Sequence, residues 1–178
     1  MIPFYVIAAV DQEFGIGKDG RMPWHLAGDL KHFRQLTTDS SRPGKENVVL
    51  MGRKTWDSLD EKYRPLPKRL NLVVTRQKDL TFPGGVLKAD DFLSALDGLD
   101  NNREGVGTIF VIGGSQIFGQ ALRLPSCEKI YLTHIQKTFD CDTFFPKDLS
   151  RFREVSRSSP QDEGPCRYFF AEYKRISS

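Results

Sequence analysis

The chain has 178 residues, of which 39% are hydrophobic and 28% charged, as expected for a globular domain. A net charge of +3, from 26 scattered Lys and Arg residues against 23 Asp and Glu, argues against a nucleic-acid partner, and the apolar N-terminus is too short to cross a membrane. Three widely spaced cysteines indicate neither a disulfide framework nor a zinc site and are typical of a reducing cytoplasm.

Seven apolar runs rich in β-branched or aromatic residues are predicted to be strands. In chain order they are Phe4–Val10, Val48–Met51, Leu70–Thr75, Thr108–Ile112, Ile130–Ile135, Phe152–Ser156 and Tyr168–Tyr173. Helical spacing predicts four helices, at Leu26–Leu36, Arg53–Leu59, Asp90–Leu99 and Ser115–Leu122. This alternation indicates an α/β fold with a mostly parallel sheet. Since Ser158–Pro165 carries Gly and Pro but no helical pattern, an antiparallel hairpin should close one edge, and we expect one domain over residues 1–178.

The glycine-rich segment Gly15–Gly20 follows the first strand and matches the dinucleotide-binding pattern G-x-G-x-x-G. In that fold the pattern opens a helix that binds pyrophosphate, whereas here Pro23 follows three residues after Gly20. The segment also lacks the Lys-Ser or Lys-Thr of a P-loop. We therefore interpret Gly15–Gly20 as a mobile loop.

Asp29 lies on the apolar face of the first predicted helix. That face is formed by Leu26, Leu30, Phe33 and Leu36, whereas Lys31, His32 and Gln35 are expected to face solvent. A carboxylate in apolar surroundings is costly, its pKa tends to rise, and a bound ligand is the usual compensation. A place at the helix cap or at its exposed edge is the alternative. Because a glycine-rich loop and Met22-Pro23-Trp24 precede Asp29, we favour a small-molecule pocket.

Three predicted strands end in residues suited to phosphate groups. They are followed by Gly52-Arg53-Lys54-Thr55, by Thr75-Arg76 and by Gly113-Gly114-Ser115. Carboxyl ends of parallel strands and helix N-termini bind anions at a common rim. Each segment alone could be a solvated turn, but together they favour an elongated, phosphate-bearing cofactor. Two arginines favour NADP over NAD.

Arg69 and Thr133 are two further candidates. Arg69 ends a proline-stiffened basic segment that could be a simple surface loop, but it also begins a strand and could bind a carboxylate through two hydrogen bonds. Thr133 faces inward on its strand and needs a polar partner, for which a buried carboxylate is one candidate. The three histidines are not spaced as metal ligands, and no Ser–His or Cys–His arrangement indicates a nucleophile, so no metal site is expected.

Together these segments resemble dihydrofolate reductase over nearly the whole chain. The resemblance is carried by Gly15–Trp24 with Asp29, Val49–Trp56, Arg64–Arg69, Val111–Gly114 and Tyr131–Ile135. It implies an eight-stranded mixed, mostly parallel sheet with four helices, and a monomer. It also implies NADPH-dependent reduction of 7,8-dihydrofolate to 5,6,7,8-tetrahydrofolate, and inhibition by antifolates.

The resemblance further implies roles for individual residues. Asp29 would hold the pterin, with Thr133, Trp24 and Met22 completing the catalytic set. The folate site would add Ile7, Ala8, Leu30, Phe33, Leu59 and Ile112, with Arg69 binding the glutamate carboxylate. The cofactor would contact Ala9, Ile16 and Gly17 at nicotinamide, Gly52, Arg53, Lys54 and Thr55 at phosphates, and Thr75, Arg76 and Lys88 near the adenosine 2′-phosphate. Gly113, Gly114, Ser115, Gln116, Ile117 and Phe118 would complete this site, with a cis peptide between Gly113 and Gly114.

The sequence departs from the family pattern in two places, and two other functions are alternatives to this interpretation. Phe118 replaces a tyrosine found in many members, and Asp60–Tyr63 resembles an insertion beside the folate site. A pyrimidine reductase of riboflavin synthesis shares the fold, but the pairing of Trp24 with Asp29 argues against it. A silent binding protein on the same scaffold is disfavoured because the set of Asp29, Arg53 and Gly113-Gly114 is intact.

Finally, we expect Gly15–Met22 to act as a lid steered by Asp142.

Overall fold

The computed structural model describes residues 1–40 and 42–176. Its strands are β1 (Phe4–Val10), β2 (Gly15–Gly17), β3 (Val48–Gly52), β4 (Leu70–Val74), β5 (Leu87–Ala89), β6 (Ile109–Gly113), β7 (Cys127–Ile135), β8 (Thr143–Phe144), β9 (Phe152–Arg157), β10 (Gln161–Glu163) and β11 (Cys166–Arg175). Its α-helices are α1 (Ala27–Thr38), α2 (Arg53–Ser58), α3 (Phe92–Asn101) and α4 (Ser115–Ala121), and single 3₁₀ turns lie at Glu61–Tyr63 and Arg103–Gly105. Within the described residues, no helix is both long enough and apolar enough to span a bilayer.

The main sheet has the order β10-β11-β7-β1-β6-β3-β4-β5, and β9 also pairs with β11. Since β9 and β10 pair with different parts of β11, nine strand segments occupy eight positions. The pairs from β7 through β1, β6, β3 and β4 to β5 are parallel, and β11 runs antiparallel to β7. The predicted eight-stranded mixed sheet with a C-terminal antiparallel hairpin is confirmed.

Both faces of the sheet are covered. In β3, Val48 and Leu50 belong to one apolar cluster, which includes residues of α3 and α4. Val49 and Met51 point to the opposite face, where Trp56 of α2 belongs to a second cluster. Because successive strand residues face opposite sides, a strand covered on both faces is expected to be apolar throughout, as Val48–Met51 is.

Four short strands are not predicted by the sequence pattern, namely β2, β5, β8 and β10. β5 adds a parallel edge strand of three residues, and β2 pairs with β8 in a separate two-stranded sheet. The interpretation of Gly15–Gly20 as a loop is therefore corrected for Gly15–Gly17, which forms β2. Segments of two or three residues are too short to show an alternating pattern, and the pairing of β2 depends on a partner far away in sequence.

Helix α1 agrees with the prediction in part, since Asp29 is buried and Lys31 and Gln35 are exposed, but other positions differ. Asp29 and Thr37 are its buried residues, whereas Leu30 is 40% exposed and Leu36 is half-buried. His32, expected to face solvent, is half-buried and stacks on a phenylalanine ring of β11 at a centroid distance of 3.8 Å. The apolar stripe therefore does not define the buried face, because two polar side chains point inward to hydrogen-bond partners on other elements.

Candidate active site

A buried hydrogen bond joins α1 to the sheet. The Thr133 hydroxyl donates to Asp29 Oδ1 at 2.6 Å, and the two residues are 4% and 8% exposed. Burial raises the pKa of Asp29, the bond from Thr133 opposes this effect, and the negative charge of Glu163 adds to it. The sequence-based suggestion that Thr133 meets a buried carboxylate is thus confirmed, and Asp29 is a buried acid with remaining capacity to accept hydrogen bonds.

Trp24 lies five residues before Asp29 in the chain and is also buried. Its ring packs on Phe139 at a centroid distance of 5.2 Å, and Ala9 packs against the same cluster. Trp24 Nε1 is one of two buried side-chain polar atoms without a hydrogen-bond partner in the described part of the chain. Met22 is 52% exposed and follows a tight turn in which Lys18 and Arg21 exchange backbone hydrogen bonds. A donor that is buried without a protein partner fits a site that binds a polar ligand or water.

Three of the residues expected to line the folate site lie around one apolar cluster. Phe33, Leu59 and Ile112 are half-buried and pack against the cluster that contains Met51 and Trp56. On β1, Ile7 is 6% exposed and Ala8 is half-buried, and Ala9 pairs with Thr133 across the β1–β7 ladder. Leu30 is partly exposed, one residue from Asp29 on α1. The strand and helix thus place an apolar wall beside the buried acid.

Arg69 is a buried cation at 7% exposure. Its guanidinium donates to the Thr37 hydroxyl at 2.8 Å and to the Pro67 carbonyl at 3.0 Å, and it lies 5.8 Å from the centroid of the Phe33 ring. Burial and the nearby charge of Arg34 lower its pKa to about 10. No ion pair in residues 1–40 and 42–176 involves Arg69, so a bound carboxylate would supply the missing counter-charge.

The segment Asp60–Tyr63, which resembles an insertion, forms a single 3₁₀ turn. The Asp60 carboxylate accepts a hydrogen bond from the Lys62 backbone N–H at 3.1 Å, and Tyr63 is 59% exposed. Arg64 anchors the end of the turn by donating to the Trp56 carbonyl at 3.1 Å. The segment therefore adds a short surface element directly after Leu59.

The three predicted phosphate-binding segments follow neighbouring strands. In the register of the sheet, Met51 pairs with Gly113 and Gly52 pairs with Val74, so the carboxyl ends of β6, β3 and β4 lie side by side. The Gly113–Gly114 peptide is cis, as the resemblance implies. A Cβ atom on Gly113 would lie 3.3 Å from the Thr55 hydroxyl oxygen, and one on Gly52 would lie 3.4 Å from a side-chain carbon of α4. Glycine at position 113 thus allows the end of β6 to approach Thr55 of α2 closely, whereas the distance at Gly52 is that of an ordinary van der Waals contact.

The basic side chains at this rim differ in their partners. The Arg53 guanidinium is paired with Asp57 one turn later, whereas Lys54 and Arg76 are exposed. Thr75 is buried and accepts a hydrogen bond from a backbone N–H at 3.2 Å. The Lys88 ammonium donates to the carbonyls of Gln77, Lys78 and Leu80 at 2.7, 2.8 and 3.2 Å. All three protons of Lys88 therefore hold the loop that follows Arg76.

Helix α4 begins directly after the glycine pair. The Ser115 hydroxyl donates to the Phe144 carbonyl at 2.6 Å, Gln116 is exposed and Ile117 is buried. Phe118 is 2% exposed and packs on an aromatic ring of the main core at a centroid distance of 4.8 Å. Phe118 is thus a core residue, and its ring carries no hydroxyl.

The segment expected to form a lid is bonded to the loop that contains Asp142. The Asp19 N–H donates to Asp142 Oδ2 at 2.9 Å, and the Asp142 N–H donates to the Gly17 carbonyl at 3.0 Å. The bonds that its carboxylate accepts from the Asp19 N–H and from Thr143 hold the pKa of Asp142 below its ordinary value, the bond from Asp19 contributing most. Gly17 is buried and Ile16 packs against the main core. The expected contact between the two loops is confirmed.

Sequence reasoning missed Asp11, which is 2% exposed at the end of β1. Its carboxylate accepts hydrogen bonds from the backbone N–H groups of Glu13, Gly15 and Phe139 at 2.9, 2.7 and 2.9 Å. Asp11 therefore ties the base of the glycine-rich segment to the loop after β7. Its position between an apolar strand and a glycine-rich segment is the sequence feature that could have identified Asp11 as a candidate.

Comparison with known proteins identifies the family. The family model described as dihydrofolate reductase matches residues 3–175. The chain belongs to the dihydrofolate reductase family. The dihydrofolate reductase of Heliothis virescens is 40% identical over 96% of this chain and 96% of its own length, and that of Drosophila melanogaster is 41% identical over 92% and 90%. The solved structure of Schistosoma mansoni dihydrofolate reductase matches with a TM-score of 0.86 at 33% identity, over 98% of this chain and 99% of that one.

Some relatives are longer. The bifunctional dihydrofolate reductase-thymidylate synthase of Glycine max is 44% identical over 98% of this chain, which covers 34% of that protein. The chain thus spans about a third of the length of the bifunctional relatives it matches. Dihydrofolate reductases are oxidoreductases that reduce dihydrofolate to tetrahydrofolate in folate metabolism with a nicotinamide cofactor. The family match decides against a pyrimidine reductase of riboflavin synthesis.

Proposed function

We propose that this chain reduces 7,8-dihydrofolate to 5,6,7,8-tetrahydrofolate with NADPH, by hydride transfer to C6 and protonation at N5 of the pterin. The observation that carries the proposal is the buried pair of Asp29 and Thr133. A buried carboxylate fixed by a neutral donor keeps its charge available for the amino group and ring N–H of a pterin. Ile7, Ala8, Leu30, Phe33, Leu59 and Ile112 are proposed to contact the substrate around it.

The proton for N5 is proposed to come from water. In the described residues, the side-chain hydrogen bond of Asp29 comes from Thr133 and not from a His, Cys or Lys side chain. Trp24 Nε1 is a buried donor without a protein partner and is suited to hold a water molecule near the pterin. The negative charge of Asp29 favours the protonated form of the bound pterin. Met22 is proposed to cover this region from the lid.

The cofactor is proposed to lie along the rim of β6, β3 and β4. When bound, NADPH supplies the hydride. Gly52, Gly113 and Gly114 present backbone without side chains at the ends of β3 and β6, which supports binding of a pyrophosphate there, with Thr55 close to Gly113. We place Ala9, Ile16, Gly17 and Phe118 near nicotinamide, Arg53, Lys54, Ser115, Gln116 and Ile117 near the phosphates, and Thr75 and Arg76 near the adenosine 2′-phosphate. Lys88 is proposed to act indirectly, through the loop it holds.

The remaining proposals concern the partners and setting of the chain. Arg69 is proposed to bind the glutamate α-carboxylate of the substrate, because it is a buried cation without a carboxylate partner in the described residues. Antifolates are proposed to occupy the same pocket. We also propose one domain over residues 1–178, since a single sheet connects the first described strand to the last. A monomer in the cytoplasm is proposed, with the three free thiols as support for the compartment.

The decisive test of this function is the fall in absorbance at 340 nm when purified protein is mixed with NADPH and dihydrofolate. Reduction of dihydrofolate at a rate typical of enzymes supports the proposal. Binding of both ligands without turnover would instead indicate a silent binding protein. Replacement of dihydrofolate by the diaminopyrimidine substrate of riboflavin synthesis provides the control for the other alternative.

A further inference from the structure

Helix α1 carries the catalytic carboxylate but has no side-chain cap of its own. Its N-cap residue is Leu26, which makes no side-chain hydrogen bond to the helix. Helix α3, by contrast, begins at Asp91, whose carboxylate accepts the Ser94 N–H at 2.9 Å. The first N–H groups of a helix require acceptors, and apolar residues cannot supply them. The acceptors for α1 must therefore come from elsewhere in the fold.

They come from β10, at the far edge of the sheet. Glu163 Oε1 accepts the Ala27 N–H at 2.5 Å, and Glu163 Oε2 accepts the Gly28 N–H at 3.0 Å. The two N–H groups precede Asp29 directly in the chain, so both Glu163 oxygens hold the turn that carries the catalytic acid. These bonds and one from a tyrosine keep the pKa of Glu163 below its ordinary value, the backbone bond from Gly28 contributing most.

Gly28 is needed for this contact. The buried Tyr168 hydroxyl lies 3.3 Å from Glu163 Oε2, and a Cβ atom at Gly28 would overlap this hydroxyl. Tyr168 is on β11, which is adjacent to β10, so the hairpin orients the carboxylate from one side while the helix binds it from the other. Position 28 has no side chain, which leaves room for the Tyr168 hydroxyl beside the Glu163 carboxylate. Both residues are therefore suited to the contact between Glu163 and helix α1.

We propose that Glu163 is a positioning residue for Asp29, acting from the β10–β11 hairpin as the N-cap of α1. The inference rests on the proposed function, because it assigns to Glu163 an effect on the proton chemistry of that site. Glu163 touches neither of the reacting atoms; it holds the first turn of α1 against the sheet and places a negative charge beside the catalytic carboxylate.

The charge has a defined effect on Asp29. Thr133 on β7 donates a hydrogen bond to this carboxylate, and Glu163 on β10 and Tyr168 on β11 interact with it electrostatically. Glu163 raises the pKa of Asp29, and it also offsets the positive end of the α1 dipole, which would lower that pKa. His25, in the loop before α1, lowers the pKa of Glu163 by a smaller coulombic effect. Loss of the Glu163 charge should therefore lower the pKa of Asp29. Because it also removes one negative charge from the region of the bound pterin, it should lower the pKa of the pterin and disfavour its protonation.

The test compares Glu163→Gln with Asp162→Asn. Glutamine keeps one oxygen to accept a helix N–H, so α1 can still form, but the charge is lost. Asp162 lies on the same strand, and its carboxylate faces Arg167 at 4.0 Å, so the control removes an equal charge from the same hairpin. Single-turnover hydride transfer is measured from pH 5 to pH 9, and the carboxyl of Asp29 is titrated by ¹³C NMR in both variants.

The rate of hydride transfer is expected to decrease with rising pH, and Glu163→Gln should move this decrease to lower pH. At pH 8 the rate should be reduced roughly threefold to tenfold, the effect of removing one charge at a helix N-terminus. The Asp29 pKa should fall, NADPH affinity should not change, and Asp162→Asn should match the wild type. Equal pH profiles for both variants, or a lower melting temperature without a pH shift, overturn the inference. A wild-type chain that cannot reduce dihydrofolate overturns the proposed function instead, and the NMR titration still decides whether Glu163 acts on Asp29.

Discussion

Thr133→Val should destabilise the protein in a pH-dependent manner. The substitution keeps the shape of the side chain but removes the hydroxyl that donates to Asp29 at 2.6 Å. Both residues are buried, so water cannot readily replace the lost donor. A hydrogen bond to a charged group contributes about 1.5–3 kcal/mol, and a neutral one about 1 kcal/mol. The expected loss of stability therefore depends on whether Asp29 is ionised.

The direction follows from the pKa of Asp29. Burial raises it above the reference of about 3.9 for an unfolded chain, and the Thr133 bond partly offsets that increase. Alkaline pH favours the ionised carboxyl, for which the bond is charge-assisted, and acid pH favours the protonated carboxyl, for which the bond is neutral. The variant should raise the pKa of Asp29 further, so its loss of unfolding free energy should be about 1.5–3 kcal/mol at pH 8 and about 1 kcal/mol at pH 4.

Urea unfolding at both pH values measures this difference. Thr108→Val is the matched control, because Thr108 is half-buried and its hydroxyl has no hydrogen-bond partner in the described residues. The control should show the same small change at both pH values. A loss for Thr133→Val that is equal at pH 4 and pH 8, or greater at pH 4, refutes the assignment of this bond to the ionised carboxylate.

Three further predictions concern the cofactor, the lid and the substrate tail. Arg76→Ala should raise the KM for NADPH and leave that for NADH nearly unchanged, and equal increases would contradict a 2′-phosphate contact. Asp142→Ala removes the acceptor for the Asp19 N–H and should slow hydride transfer in single-turnover experiments without preventing NADPH binding; unchanged rates would remove Asp142 from the mechanism. Arg69→Gln should weaken dihydrofolate binding about tenfold to 100-fold, the loss of a charge-assisted pair, yet should not weaken binding of a pterin that lacks glutamate.

Periodic patterns in the sequence predicted the central part of the fold. The strand Val48–Gly52 is apolar at nearly every position because both its faces are covered, so its run of apolar residues was sufficient. The short strands β2 and β8 were not predictable in this way, since each has only two or three residues and their pairing is long-range. The insertion-like segment Asp60–Tyr63 also required the structure to show its 3₁₀ turn.

The site could be predicted from the sequence where a polar side chain in an apolar segment required a hydrogen-bond partner. Asp29 in an apolar stripe required a partner, and Thr133 provides it. Glu163 was missed because its bond to Ala27 joins residues 136 positions apart, which no local pattern encodes. The ion pair of Arg53 with Asp57, by contrast, has an i,i+4 spacing that is visible in the sequence. The carboxylate of Asp57 partly neutralises the Arg53 guanidinium.

The central claim is that the charge of Asp29 serves the proton step, and the Asp29→Asn variant tests it most directly. Single-turnover hydride transfer should be measured at pH 5 and pH 8. We predict a loss on the order of 100-fold or more at pH 8, the typical contribution of acid–base catalysis, and recovery of much of the rate at pH 5, where dihydrofolate is more readily protonated in solution. A variant equally impaired at both pH values would contradict the claim, because Asp29 would then only position the substrate.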